Sequence, residues 1–362
     1  MGIKILYITN GINGAGGLER VLSIKASYFA EQDKDEVHIL VLNNANQNNF
    51  YEFSCRIHHH SINVGGSPFQ YLKNYKKGIQ DLVENINPDI ISVCDDGLKA
   101  FFIPLFLKTN AKIIYERHVS KLIEMRNDFG VFKRLSIETK WWLMERLGKN
   151  FAKFVVLTPG NKNEWKSLSN IEVIANPLSF YPEAFSTLDN KIVICVGKIS
   201  YQKGQDLLAK AWEKVHMRFP DWQLHLYGKE NLGILNTNHL ENNIHFFHPD
   251  KNIEEKYLES SIYVMSSRFE GFGMVLTEAM ACGIPCVSFD CDYGPADIIT
   301  HNEDGYLADK NNINELADRL LDLIENEQRR KEFGKKAKLN VCKYQIENIA
   351  KEWKSMFDSL LK

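Results

Sequence analysis

The residues best placed to do chemistry lie between Ser266 and Asp290, in the string SSRFEGFGMVLTEAMACGIPCVSFD. Two glutamates, Glu270 and Glu278, stand there with seven residues between them. Glu270 precedes a glycine-containing loop, and Glu278 falls in a helical run from about Met274 to Cys282 that Gly283 and Pro285 bring to a stop. A loop that opens a helix in this way aims unpaired N–H groups and the positive end of the helix dipole in one direction, which suits an anion or a hydroxyl. The glycines at 14, 16 and 17 form a weaker phosphate signal, because they lack both the G-x-G-x-x-G spacing and a G-K-[ST] ending.

Three other clusters carry less. Cys282, Cys286 and Cys291 are the closest group among seven cysteines, yet they have no C-x-x-C pair and no neighbouring His, so zinc is not expected. The odd cysteine count, with four inside or beside apolar runs, fits reduced thiols and a cytosolic chain. Asp290-Cys-Asp292 spells a D-x-D metal signature, but after this helix it reads as a strand-end turn. His58, His59 and His60 resemble a metal tract, yet neighbours in a strand face opposite ways, so a solvated strand or loop is expected.

The elements that must position these residues repeat. A strand (Ile3 to Thr9) leads to a glycine-rich stretch, an amphipathic run from Leu18 to Glu31 and a strand from Val37 to Leu42. A similar order restarts with a strand at Ile192 to Val196, a loop from Gly197 to Gly204, a helical pattern from Gln205 to Arg218 and a strand from Gln223 to Tyr227. Two strand–loop–helix–strand openings predict two parallel sheets, each with a ligand edge at the carboxyl ends of its strands. Prolines and small polar residues without periodicity mark a linker near residues 178 to 190.

Composition agrees with this division. The chain has 362 residues, 44% of them hydrophobic and 25% charged, which is ordinary globular composition for about two domains. Its longest apolar runs fall far short of the roughly 18 residues that span a bilayer. The first ten residues read as a strand, not a signal peptide. Residues 1 to 180 carry 22 Lys plus Arg against 18 Asp plus Glu, and the remainder 22 against 28. This excess of base is too small for a nucleic-acid footprint. Within the first half, residues 133–149 interleave bases with Trp141 and Trp142. That pattern fits either a helix lying on an anionic membrane surface or one whose Trp and Leu pack on the sheet with its bases solvated.

Taken together, the motifs resemble those of family 4 of the retaining, GT-B-fold glycosyltransferases. The E-x7-E signature is matched by Glu270 and Glu278 in the context E-G-F-G-x-x-x-x-E-A-M-A-x-G-x-P. Gly16-Gly-Leu-Glu-Arg-Val21 is similar to the family's amino-terminal loop, Tyr115-Glu-Arg-His118 to the segment that carries its active-site His, and Asn176-Pro177 to the N-P before the second domain. Gly197 to Gly204 matches the G-R-x-x-x-x-K-G phosphate loop with Lys198 in place of the usual Arg, which keeps the charge and loses the planar fork. Asp290 to Ile299 resembles the branch that builds bacterial exopolysaccharide, capsule and lipopolysaccharide.

The resemblance implies an α/β, GT-B chain: two Rossmann-like domains whose parallel sheets face a central cleft. Residues 1–180 would bind the acceptor and residues 190–345 the nucleotide-sugar donor, with a final helix (about 346–361) packing back on the first domain. The implied reaction moves a hexose or N-acetylhexosamine from a nucleotide-diphosphate sugar, UDP-linked by expectation, to a hydroxyl of a lipid-linked glycan with retention. GDP-mannose, a small soluble acceptor, or a non-catalytic binding protein are the alternatives. Lys198 and Lys203 would clamp the departing diphosphate, and Gly16 and Gly17 would let the opposing backbone approach. Glu278 would hold the ribose hydroxyls, Gly271, Phe272, Gly273, Met274 and Val275 would contact donor sugar and diphosphate, and Glu270 a sugar hydroxyl near the reacting centre. His118, Glu270 and Lys203 form the expected catalytic set, with no metal, no cofactor and no assigned nucleophile. Expected partners are the donor, a glycan or lipid-linked acceptor and, through residues 133–149, the cytosolic face of the plasma membrane.

Overall fold

The computed structural model describes residues 2–32, 34–43, 48–125, 129–229 and 242–362. The chain forms two compact units, Met1–Pro177 with Ile346–Lys362, and Leu178–Gln345. Each is built on one parallel sheet.

In the first unit the strands are β1 (Lys4–Ile8), β2 (Glu36–Leu42), β3 (His58–Ile62), β4 (Ile90–Val93), β5 (Lys112–Glu116), β6 (Lys153–Val156) and β7 (Ile171–Val173), ordered β3-β2-β1-β4-β5-β6-β7. β1 and β4 are near-continuous apolar runs because a central parallel strand is covered on both faces. The chain leaves β1 toward β2 on one side and resumes at β4 on the other, so the order reverses between β1 and β4. Ligands of open α/β sheets bind outside the strand ends at such a reversal. The edge strand β3 carries the three histidines. His38 of β2 stacks between His58 and His60 and meets His60 at 2.9 Å, so these two histidines share a face and His59 takes the other, against Phe53.

In the second unit β8 (Ile192–Val196), β9 (Gln223–Tyr227), β10 (Ile244–Phe247), β11 (Ile262–Met265), β12 (Cys286–Asp290) and β13 (Gly305–Asp309) are ordered β10-β9-β8-β11-β12-β13. Here the reversal lies between β8 and β11. The helix Gln205–Arg218 buries Leu208, Ala211, Trp212 and Val215 along one stripe, as the 3.6-residue period requires, and ends on His216 and Arg218 at the negative end of its dipole. Asp290 closes β12, Cys291 is buried, and Asp292 pairs with Lys310, so the D-x-D string is a strand-end turn tied to a base.

One boundary differs from the sequence expectation. The division falls between Pro177 and Leu178, and residues 178–190 form a strap on the second unit instead of a free linker. The buried Lys338 ammonium donates to the carbonyls of Pro182, Glu183 and Ala184, which satisfies backbone that has no sheet partner. The helix Ile346–Leu361 returns to the first unit, where Phe357 meets Phe29 and Trp353 covers Lys25.

Candidate active site

In the second unit the loops that follow β8 and β11, the two strands at the reversal, are stitched together. Arg268 N–H donates to the Gln202 carbonyl, Gln202 Nε2 to the Phe269 carbonyl and Ser266 Oγ to the Lys203 carbonyl. The Arg268 guanidinium grips Asp206 with two hydrogen bonds of 2.9 and 2.6 Å and lies over the Tyr201 ring. Gly204 permits this closeness: its φ is +65°, and a Cβ there would stand 2.1 Å from the Ser266 carbonyl oxygen.

The stitched loops bring Lys203 and Glu270 together at 2.7 Å, 67 residues apart in sequence. Glu270 is buried and also accepts from Ser267 Oγ. Burial works against the Lys203 charge, the Glu270 carboxylate outweighs it, and the ammonium's pKa is raised. Lys198, in contrast, is exposed. Gly271 is half-buried, while Phe272 packs edge-on against Tyr344. Gly273 takes a φ of +97° to open the helix Met274–Ala281, and no side chain caps that end. The first-turn N–H groups at Met274 and Val275 therefore remain at the positive pole of the helix, at the end of the loop that carries Glu270, the partner of Lys203. Unpaired N–H groups at a helix N-terminus suit an anion.

Glu278 lies one turn further on and is fully buried. Its two oxygens accept from Ser179 Oγ at 2.7 Å and Tyr257 Oη at 3.2 Å.

In the first unit Gly16 precedes the helix Gly17–Glu31 with φ −82°, so backbone conformation does not demand glycine there. The Glu19 carboxylate folds back over this stretch, 2.5 Å from where a Cβ at either Gly14 or Gly16 would stand. Glu19 thus lays its own charge across the positive end of this helix.

His118 anchors a buried polar chain that sequence reasoning did not find. Its Nε2 meets Glu116 Oε2 at 3.2 Å, Lys25 Nζ donates to the same carboxylate, and Ser92 Oγ donates to Glu116 Oε1. Lys25 is 1% exposed and Glu116 2%. The Trp353 ring covers the ammonium at 3.9 Å, a cation–π contact that replaces water on that side. Burial alone would push the Glu116 carboxyl up; Lys25 and His118 outweigh it and hold it well below the usual carboxylate range. The Nδ1 of His118 is buried with no partner, so an imidazole that gives its Nε2 proton to Glu116 keeps an acceptor lone pair in reserve. Two signals could have revealed this chain: Glu116 and His118 are two apart, and Lys25 falls in the apolar stripe of Val21, Leu22, Ala26 and Phe29.

Cys94, Glu116 and His118 are the one group among the described residues with three ligand-type atoms within 4.8 Å of one another. The Lys25 ammonium already holds the cation position on Glu116, and burial with the Glu116 charge pushes the Cys94 thiol up and keeps it protonated. A metal would have to displace Lys25, so these residues do not make a fitting metal site.

Comparison with known proteins agrees with this architecture. A family model for glycosyl transferases group 1 matches residues 182–340, within the second unit. An uncharacterized glycosyltransferase of Haemophilus influenzae is 30% identical over 98% of this chain and 99% of its own. The amylovoran biosynthesis glycosyltransferase AmsD of Erwinia amylovora is also 30% identical, over the same shares. Among solved structures, a mutant of S. aureus TarM in complex with fondaparinux, alpha-GlcNAc-glycerol and UDP superposes with a TM-score of 0.78 at 18% identity, covering 98% of this chain and 99% of that one. That likeness gives the fold, two parallel-sheet α/β domains of GT-B type. With relatives of this identity matched along nearly their whole length, the chain belongs to the glycosyl transferases group 1 family.

Proposed function

We propose that this chain is a retaining hexosyltransferase of family 4 type that takes a UDP-linked hexose or N-acetylhexosamine and transfers it, without a metal, to a hydroxyl of a lipid-linked glycan in surface polysaccharide assembly. The observation that carries the reading is the β8/β11 reversal, where Glu270, paired with Lys203 from the other loop, shares its loop with an uncapped helix N-terminus. Breaking a sugar–diphosphate bond develops negative charge on the departing phosphate, and oriented N–H groups with a fixed ammonium lower that barrier. AmsD's role in amylovoran biosynthesis and UDP in the TarM complex support the pathway class and the nucleotide. Glu270 serves first to hold Lys203 in place, and His118, fixed by Glu116, presents Nδ1 to a substrate hydroxyl.

Thermal unfolding with UDP, GDP and ADP in parallel tests the nucleotide. A ligand at about 100 times its dissociation constant stabilises by roughly 2.7 kcal/mol, and UDP should do so selectively. A response to GDP alone would move the donor to GDP-mannose, and no response to any nucleotide would overturn the reading.

The membrane contact narrows to one face. No described helix is long and apolar enough to cross a bilayer. On the helix Val131–Gly148, Phe132 (90% exposed), Leu135 (58%) and Trp142 (63%) fall on one stripe that continues through Arg146 to Lys149. Trp141 is instead partly buried against the core of the first unit. Phe132→Ser/Trp142→Ser should abolish flotation with phosphatidylglycerol vesicles, whereas unchanged flotation would end this contact.

A further inference from the structure

Glu116, at the end of β5, is approached from two sides at one oxygen. Its Oε2 takes both the Lys25 ammonium, from the helix Gly17–Glu31, and Nε2 of His118, while Oε1 takes Ser92 Oγ from β4. A buried ion pair is a weak source of stability, because replacing both charges by apolar groups is often neutral or favourable. The burial of Lys25 and Glu116 therefore points to a use other than holding the fold together.

The sum of charges supplies that use. A carboxylate 3.2 Å from an imidazole favours the imidazolium. With Glu116 uncompensated, His118 would take a second proton on Nδ1 and become a donor there. Lys25 on the same oxygen reverses this preference. Ammonium, carboxylate and neutral imidazole add to zero, and a second proton on His118 would leave a net positive charge in a site shielded from water. Tyr7 from β1 and Cys94 just past β4 also face the chain; burial pushes both up, so phenol and thiol add no charge. The Arg117 guanidinium is bound to the Val119 and Asp96 carbonyls and lies 3.4 Å from the Asp96 carboxylate, so its charge is matched elsewhere. Nδ1 of His118, buried and without a hydrogen-bond partner, is then left as a lone pair.

Lys25 itself is held between rings. Its ammonium lies 3.9 Å from the Trp353 ring centroid and 5.2 Å from that of Tyr7, and cation–π attraction replaces part of the lost water. Trp353 belongs to the helix Ile346–Leu361, which comes from the far end of the chain and also packs Phe357 on Phe29.

We propose that Lys25 and Trp353 are positioning residues for His118: together they cancel the Glu116 charge, so that the imidazole stays neutral, protonated on Nε2, with its Nδ1 lone pair free to accept. The terminal helix thereby sets the charge state of His118 through Lys25 and Glu116. That a substrate hydroxyl meets this lone pair rests on the transferase reading; the charge state does not.

Nitrogen-15 NMR of the full chain labelled at histidine tests it at neutral pH, with the His118 signals identified by their absence in His118→Asn. The parent should carry one proton on His118, at Nε2. Lys25→Met should protonate both nitrogens, and Lys25→Met/Glu116→Gln should return the ring to neutral. Trp353→Leu, which keeps both charges, should shift His118 part of the way and move the acid limb of the pH–rate profile up by about half a pH unit, about threefold in the ratio of protonated to neutral imidazole. Its kcat should drop below that limb and recover above it with KM for the donor unchanged, whereas a merely structural lesion would lower kcat at every pH. Trp353→Phe, which keeps a ring over the ammonium, should match the parent. A parent His118 protonated on Nδ1 would overturn this role, as would unchanged His118 signals in folded Lys25→Met and Trp353→Leu proteins. If Lys25→Met does not fold, Trp353→Leu decides alone. The expected shifts without turnover of any sugar nucleotide would keep this role and remove the transferase reading. Turnover with unchanged His118 signals would do the reverse.

Discussion

Replacing Lys203 by Ala will slow transfer from the sugar nucleotide by about 10²–10³-fold, the range seen when one preorganised charge-stabilising group is removed. The loss should fall on kcat more than on KM, because the charge that Lys203 meets grows as the diphosphate departs. Glu270→Gln separates the two roles within the pair. It keeps an acceptor for Ser267 Oγ but removes the counter-charge that holds the ammonium at 2.7 Å. Turnover should drop by less than in Lys203→Ala, and the raised Lys203 pKa should fall back, which the alkaline limb of the pH–rate profile reads. If steady-state kinetics of a folded Lys203→Ala protein match the parent, the Lys203–Glu270 pair is not where charge develops.

Lys25→Met carries the largest expected effect on stability. Breaking a buried ion pair from one side costs about 3–5 kcal/mol, since it strands the other charge away from water. Here the stranded group is Glu116, which is 2% exposed, and the loss of the Trp353 contact adds to the cost. Adding Glu116→Gln to Lys25→Met should restore much of the stability, because the double variant buries no charge. Denaturant midpoints of the two single variants and the double variant check this; additive losses would show that the two side chains do not act as a pair.

The same pair sets an acid limit. The folded-state pKa of Glu116 lies below its unfolded value of about 4.3, so its contribution is fully present at neutral pH. It is lost as pH falls below that unfolded value toward the folded one. Glu116→Gln removes this slope from the stability profile.

Much of the framework is legible in the sequence because its signals are local. Gln205–Arg218, Ile192–Val196 and Gln223–Tyr227 follow from hydrophobic period and glycine punctuation within a few residues, and the structure keeps those bounds. Glu270 and Lys203 are singled out by their motifs, though nothing short of the fold shows that they touch. The polar chain behind His118 is harder to see. Lys25 and Glu116 are 91 residues apart, and a lysine in an amphipathic helix reads by default as solvent-facing. What reverses that default is the terminal helix, which lays Trp353 over the ammonium. Glu278 shows the same limit: its partner Ser179 lies 99 residues away, in a segment whose prolines suggest a linker. Contacts of this range depend on how the strands are ordered in the sheet, and no local pattern encodes them.

Nucleotide-sugar transfer is tested most directly by turnover itself. Release of nucleoside diphosphate from UDP-glucose, UDP-galactose, UDP-N-acetylglucosamine and GDP-mannose would be followed, with NMR of the sugar product and Lys203→Ala in parallel. One UDP-sugar should be cleaved, its sugar should appear first as the α anomer, and the variant should lose that activity. No turnover of any donor, interconversion of free donor without release of nucleoside diphosphate, or a β-configured first product would contradict retaining transfer.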